Sequence, residues 1–374
     1  MNIHIVIGKN FGDEGKGLAT DYFALKAECS GSIPLVVRHN GGAQAGHTVD
    51  LPDNRFIFHQ LSSGSFRHAD TYWADTYLPD MYQLSKEIGE FYGISGIIPR
   101  VFADGRARCA TVIDVIINQA LESNRGEGRH GSCGMGIDET VRRSATEYII
   151  PLKYICSCTA DELFRRLVQI RDEYVPVRLS QVDMTLEDLG SYRDLLADDI
   201  ILQNWAEKAV NSVKYVQLKD PAFIKNYENV IFEGAQGLLL DEMNAEYAPH
   251  LTTSRTGLTN PVRIIREIMP DEEVTAEAVY VTRSYVTRHG NGPLPHEGDF
   301  RFEDETNHPN DWQGTIRFGY HGNKDEFYSP MMRDIEENSF KGKHSVFVTH
   351  LNEISEFGFD ADYKSYTRFA EDIP

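Results

Sequence analysis

The chain has 374 residues, 41% of them hydrophobic and 25% charged, with 57 acidic against 37 basic side chains and a formal net charge of −20. That size and balance suit a globular enzyme with a large core, and the negative field excludes a bulk nucleic-acid partner. No apolar run approaches the ~20 residues a bilayer needs, no signal-peptide layout is visible, and five scattered cysteines (Cys29, Cys109, Cys133, Cys156, Cys158) suit reduced thiols, so the expectation is a cytoplasmic protein without a membrane partner.

Ile3 to Ile7 reads as a buried strand running straight into Gly8-Lys9-Asn10-Phe11-Gly12-Asp13-Glu14-Gly15-Lys16-Gly17. A strand feeding such a loop cradles phosphates: Gly12, Gly15 and Gly17 let backbone N–H groups approach an anion, Lys16 adds a point charge, and a helix N-terminus stands behind. The spacing departs from the usual P-loop, because Asn10 stands where its first glycine belongs and Gly17 where Ser or Thr would hold magnesium. Asp13, a carboxylate inside a phosphate cradle, makes electrostatic sense only beside a cation or a substrate N–H, so the loop predicts chemistry and not only storage of a nucleotide.

Ile33–Val37 is the next strand, followed by Arg38-His39-Asn40-Gly41-Gly42-Ala43-Gln44-Ala45-Gly46-His47-Thr48, whose small residues expose backbone around a Gln and a His. Further strands read at Thr71–Trp73, Val101–Phe102, Val230–Phe232, Ala278–Val281 and Ser345–Val348. Helical periodicity marks Leu78–Tyr92, Ala110–Glu122, Ala160–Tyr174, Ile200–Val213 and Pro261–Ile268, the first, third and last opening after Asp or Thr/Asn cap signals. The alternation predicts the α/β class: an open, largely parallel twisted sheet flanked by helices, with ligands at the strand C-termini. With no repeat and no proline-rich linker, residues 1–374 read as a single domain with helical insertions at about 78–225. Two more strand ends are glycine-rich: Glu233-Gly234-Ala235-Gln236-Gly237, and the cation-bearing run from Thr282 to Pro295.

Taken in order, Gly12 to Gly17, Ala45-Gly46-His47-Thr48, Phe232 to Gly237 and Thr287-Arg288 through Gly292-Pro293 resemble the motifs of adenylosuccinate synthetase, with residues 1–60 and 225–320 carrying the likeness. The resemblance implies that family's P-loop-like fold and a carbon–nitrogen ligase that phosphorylates a purine 6-oxygen and lets the amine of L-aspartate displace the phosphate. Asp13 then resembles the general base that takes the N1 proton, and a Mg2+ ligand beside the Gly46 carbonyl. His47 resembles the acid that donates to the γ-phosphate, and Gln236 the amide that steadies the 6-oxygen. The triphosphate falls to Gly12, Gly15, Lys16, Gly17, Gly46, Thr48, Arg317 and Asn352. The mononucleotide falls to Asp13, Lys16, Gln44, Gln236, Thr252 and the Ser132-Cys133-Gly134-Met135-Gly136 loop, in which Cys133 replaces a threonine. L-aspartate falls to Gln313, Thr315 and Arg317, and Arg142 matches an arginine supplied across a dimer interface, which implies a homodimer.

Three departures from the family pattern refine the substrates. Where the family reads a Thr-Lys-x-Asp strand end that accepts two guanine N–H groups, this chain reads Thr349-His350-Leu351-Asn352, and an amide suits adenine's N6 amine and N1. ATP or dATP is therefore the expected donor, with GTP the alternative. Thr315 stands where an arginine normally reaches the ribose 2′-hydroxyl, and the long C-terminal portion of bacterial members has no counterpart. These features resemble the phage branch that acts on dGMP, although some phage members carry Ser in place of Asp13, which keeps IMP as the alternative acceptor. A nucleotide-sensing switch, which has no use for the Gln236 and Arg288 segments, and a different ligase or kinase of a nucleoside monophosphate are the rival readings. Cys156 and Cys158 read as inert thiols, and Trp73, Trp205 and Trp312 as packing residues.

Overall fold

The computed structural model of the chain describes residues 1–126, 133–270, 275–304, 307, 314–354 and 356–374. In chain order its strands are β1 (Asn2–Gly8), β2 (Leu35–Arg38), β3 (His47–Asp50), β4 (Arg55–Phe58), β5 (Asp70–Trp73), β6 (Val101–Ala103), β7 (Val216–Leu218), β8 (Asn229–Gly237), β9 (Ala276–Arg283), β10 (Val286–Arg288), β11 (Arg317–Gly319), β12 (Lys343–Thr349) and β13 (Tyr363–Lys364). Its α-helices are α1 (Lys16–Cys29), α2 (Met81–Ser95), α3 (Val112–Arg125), α4 (Ile137–Ser144), α5 (Leu152–Ile155), α6 (Ala160–Gln169), α7 (Val175–Ser180), α8 (Tyr192–Ala197), α9 (Asp199–Ser212), α10 (Thr259–Ile268) and α11 (Lys324–Glu337).

Nine strands make one sheet in the order β13-β12-β9-β1-β8-β2-β5-β6-β7, and every neighbouring pair runs parallel. Parallel strands need crossovers, which cover both faces and explain why the strands read as continuous apolar runs. Successive residues of β1 serve opposite faces: Ile3, Ile5 and Ile7 pack with Val37, Phe232, Tyr280 and Ile265, while Val6 packs with Ala19, Tyr22, Val36 and Phe347. Truncating a fully buried residue such as Ile5 to Ala costs about 2–5 kcal/mol in such a setting. A third core lies beneath α2, α3, α6 and α9 and takes in the hairpin residues Val49, Phe56 and Phe58 together with Trp73 and Trp205.

Several elements depart from their sequence-based positions. Thr159 does cap α6, but α2 opens three residues later than Leu78, at Met81 with Asp80 as its cap, and α10 opens two residues early, at Thr259 after Leu258, with no side-chain cap; Asn260 lies inside it and donates instead to the His39 carbonyl. The helix predicted over Ala160–Tyr174 ends as a π-turn at Ile170–Tyr174, which leads into α7. Within 78–225 the strand expected at Val101–Phe102 is β6, and β7, which no sequence pattern marked, lies beside it at one edge of the sheet.

Candidate active site

Strand β1 sits between β8 and β9, and its crossover through α1 passes over β8 to reach β2, so the loops after β1, β2, β8, β9 and β12 converge at the C-terminal end of the sheet. A cleft of about 1490 Å3 opens there, with Asp13, Lys16, Gln44, Gly46, His47, Gln236 and Asn352 all on its walls.

The loop after β1 turns through left-handed backbone at Gly12 (φ 98°), Asp13 (φ 60°) and Gly15 (φ 93°), and Gly15 is the N-cap of α1. Only glycine fits at residue 15, because a Cβ there lies 2.9 Å from the Thr349 methyl in addition to the φ penalty. The inside of the loop is filled by Glu14, which is buried: its Oε1 accepts from the N–H groups of Asn10 (2.8 Å) and Gly12 (3.0 Å), and its Oε2 accepts from Lys16 Nζ (3.2 Å). This corrects the simplest form of the cradle. The Gly12 amide, expected on a phosphate, is engaged by the protein's own carboxylate, and Lys16 reaches the cleft as half of a buried ion pair.

His47 opens β3, packed against the first turn of α1: a Cβ on Gly17 falls 2.6 Å from the Thr48 carbonyl oxygen. Its Nδ1 lies 2.7 Å from Glu233 Oε1. Glu233 is fully buried between Arg38, His47 and Ser63, whose N–H and hydroxyl both donate to it. Burial opposes the charge on Glu233, but Arg38 and then His47 and Ser63 outweigh it and hold the carboxyl at about 2. Burial likewise pulls His47 down to about 4, against the opposing pull of Glu233. At neutral pH the pair is therefore a neutral imidazole donating from Nδ1 to a carboxylate, with Nε2 left as an acceptor. Donation to a phosphate from Nε2 requires a second proton, which a polyanion in the cleft would favour.

Between Val6 and Gly8 the β1–β8 register jumps from Glu233 to Gly237, so Gly234, Ala235 and Gln236 bulge out. Asn40 pins the bulge with both ends of its amide, accepting from the Ala235 N–H at 2.8 Å and donating to the Ala235 carbonyl at 2.9 Å. Gln236 is held at φ 65°, a conformation uncommon outside glycine, which re-aims its side chain onto the cleft wall. Gln44, also on the wall, has a buried Oε1 with no hydrogen-bond partner among the described residues, an acceptor ready for a donor.

The remaining sequence-derived positions divide. Cys133, Thr252, Thr48 and Arg142 line the cleft, and Arg142 does so in its own chain, with Nε donating to Asp138 Oδ2 at 2.7 Å. Asn352 is exposed on the wall just beyond β12. Ser132, Gln313 and Trp312 lie outside the described residues. Thr315 and Arg317 stand off the cleft: Arg317 is taken up by Glu297 (2.9 Å) and by the carbonyls of Gly290 and Gly292, which makes it a brace for the 290–292 turn. Sequence reasoning missed Glu14, Asn40 and Glu233, although all three stand inside the glycine-rich strand ends; a carboxylate or amide in such a loop is the available signal. It also missed Arg283, His289, Asp304 and Asn307, which line the cleft around Asp13. Among the described residues no group of three or more His, Cys, Asp or Glu could hold a metal, and no helix is long and apolar enough to cross a membrane.

The profile of the adenylosuccinate synthetase family matches residues 5–315. Adenylosuccinate synthetase of Clostridium botulinum (strain Eklund 17B / Type B) is 29% identical over 308 residues, covering 79% of this chain and 66% of that protein. The Crocosphaera subtropica enzyme is 29% identical over 301 residues, covering 78% and 62%. The chain thus spans about two thirds of the length of these curated relatives. Among solved structures, fully ligated adenylosuccinate synthetase from Plasmodium falciparum superposes with a TM-score of 0.68 at 19% identity, covering 95% of this chain and 78% of that one. Succinoaminodeoxyadenylate synthetase (PurZ) of cyanophage S-2L, bound to dGMP and to dATP as an energy donor, gives 0.64 at 15% identity, covering 100% and 95%. At these identities the two structures share the fold with this chain.

Proposed function

Because the chain belongs to the adenylosuccinate synthetase family, we propose that it is a carbon–nitrogen ligase that joins L-aspartate to C6 of dGMP, with ATP or dATP as phosphate donor and the 2-aminoadenylosuccinate deoxynucleotide as product. The observation that carries the chemistry is the meeting of Asp13, Lys16, His47 and Gln236 on one cleft from three separate strand ends, those of β1, β2 and β8. Asp13 takes the proton from purine N1, the 6-oxygen attacks the γ-phosphorus, and ADP or dADP leaves. The aspartate amine then attacks C6 and expels inorganic phosphate. Gln236 steadies the 6-oxygen, and Lys16 offsets phosphate charge. Guanine presents N1–H and N2–H side by side, and a carboxylate accepts both.

Asn352 supports an adenine donor, because its amide pairs with N6 and N1 where a carboxylate would prefer guanine. The cyanophage synthetase, which this chain matches almost end to end, supports the same pair of nucleotides. Mg2+ fits the donor set: the Asp13 carboxylate and the exposed Gly46 backbone offer hard oxygen ligands, to be completed by phosphates and water. When bound, the ion would neutralise phosphate charge. The homodimer stays part of the proposal, carried by Arg142. IMP with GTP is the second reading, kept by Asp13 standing where some members of the phage branch carry Ser.

The test is phosphate release by the full chain with Mg2+, ATP and L-aspartate, supplied with dGMP or IMP in parallel. Aspartate-dependent release faster with dGMP than with IMP is the expected result. Release that ignores aspartate would point to the switch, and ADP formation without aspartate incorporation to a kinase.

A further inference from the structure

We infer that His289 is a positioning residue that holds the Asp13 carboxylate toward the acceptor base, as one member of a closed ring of side chains; the inference rests on Asp13 being the base. The ring starts at Arg283, the last residue of β9 and almost fully buried. Its Nε donates to the Asp13 carbonyl at 2.5 Å, and its NH2 donates to Asp304 Oδ2 at 2.8 Å. Asp304 in turn accepts from Asn307 twice, Oδ1 from the backbone N–H at 3.0 Å and Oδ2 from Nδ2 at 2.8 Å. With Nδ2 committed, Asn307 presents Oδ1 to His289 Nε2 at 3.2 Å. The same Nε2 lies 3.4 Å from Asp13 Oδ2, which closes the ring.

Two acceptors facing one nitrogen fix the tautomer. Nε2 carries the hydrogen, while Nδ1 is buried with no partner among the described residues. His289 is thus a fixed N–H donor aimed between Asn307 and Asp13. Asp13 needs such a hold from both ends. Its backbone sits at φ 60°, uncommon for a residue with a Cβ, and its side chain is 31% exposed on the cleft, free to swing outward without a donor. Arg283 anchors the backbone and His289 the carboxylate. A base misplaced by about 1 Å loses roughly a hundredfold in rate, and a 3.4 Å contact is of the kind that tightens when the reacting base arrives.

The experiment compares the wild type with His289→Ala, His289→Gln, Asn307→Ala and the His289→Ala/Asn307→Ala double variant by aspartate-dependent phosphate release, each checked for an unchanged melting transition. His289→Ala is expected to lower kcat about 10- to 100-fold with KM for dGMP, ATP and aspartate within about threefold, since orientation and not binding is lost. Gln supplies an N–H donor and should recover most of the rate. Asn307→Ala should lower kcat about 3- to 10-fold, and the double variant should lose little more than His289→Ala alone, because the two act through one contact. A wild type without aspartate-dependent turnover defeats the proposed function and this inference together. An active wild type whose His289→Ala variant keeps its kcat, or raises a KM instead, or is not rescued by Gln, overturns the inference alone; should His289→Ala fail to fold, full kcat in Asn307→Ala does the same.

Discussion

Along the β1, β2 and β8 side of the cleft, Glu14 and Glu233 draw in N–H groups and cations from within the wall itself, and each has at least two partners. On the β12 side, Thr349 is tied down through its hydroxyl to the Glu14 carbonyl, but Asn352 beyond it is exposed. The first side is organised from within; the second presents an exposed polar group on the cleft wall, which the proposed function assigns to the donor base. Substitutions at the buried carboxylates of the first should cost turnover and fold together, while a substitution at the cleft-exposed Asp13 should cost turnover and one at Asn352 should change which nucleotide is chosen.

The largest expected effect breaks the first side at its centre. Asp13→Asn should lower aspartate-dependent turnover about a thousandfold with little loss of stability, since an amide cannot take the N1 proton; near-normal turnover would reject the base assignment. Next comes the carboxylate that His47 donates to. Glu233→Ala leaves Arg38 buried and His47 without its acceptor, and should cost about 3 kcal/mol in denaturant unfolding, the scale on which breaking a buried ion pair is felt. Equal stability in the variant would mean the wall is not organised around Glu233. On the other side, Asn352→Asp should swing the ATP:GTP preference toward GTP by about tenfold without loss of stability. An unchanged ratio removes Asn352 from donor recognition.

The smallest effect comes from a carboxylate remote from both walls. At the N-terminal end of β9, the end of the strand away from the cleft, Glu277 gathers His4, Lys343, Ser345 and Tyr363, which together outweigh burial and hold its carboxyl well below the ordinary range. A depressed carboxylate stabilises the fold above its unfolded pKa of about 4.3 and loses that contribution as pH falls toward the folded value. The stability gap between wild type and Glu277→Gln, about 1 kcal/mol at neutral pH, should therefore close below about pH 4. A gap that widens in acid would show that the cluster holds Glu277 protonated.

Seven of the nine strands of the large sheet were legible because their residues are buried on both faces, so the apolar run survives whatever the register. Strands β7 and β13 were not: Val216–Leu218 buries only its first residue and Tyr363–Lys364 is two residues long, too little for periodicity to register. Helix α11 hid behind Pro330 in its interior. At the site, Asp13, Lys16, His47 and Gln236 stood out because glycines frame them. The role of Glu14 was invisible because the same glycines that admit a phosphate also admit a carboxylate two residues from Lys16. The ring through Arg283, Asp304, Asn307 and His289 joins loops separated by up to 294 residues in the chain (307 minus 13), and no local pattern announces it.

The place of β1 between β8 and β9 also sets a timetable for biosynthesis. Its partners are residues 229–237 and 276–283, so Ile3, Ile5 and Ile7 leave the ribosome long before either flank exists to receive them. At about 5–20 residues per second the delay is on the order of 14–55 s. During that interval an unpaired apolar strand is open to misassociation, and chaperone supply or slowed translation should govern the soluble yield of this chain more than its final stability does.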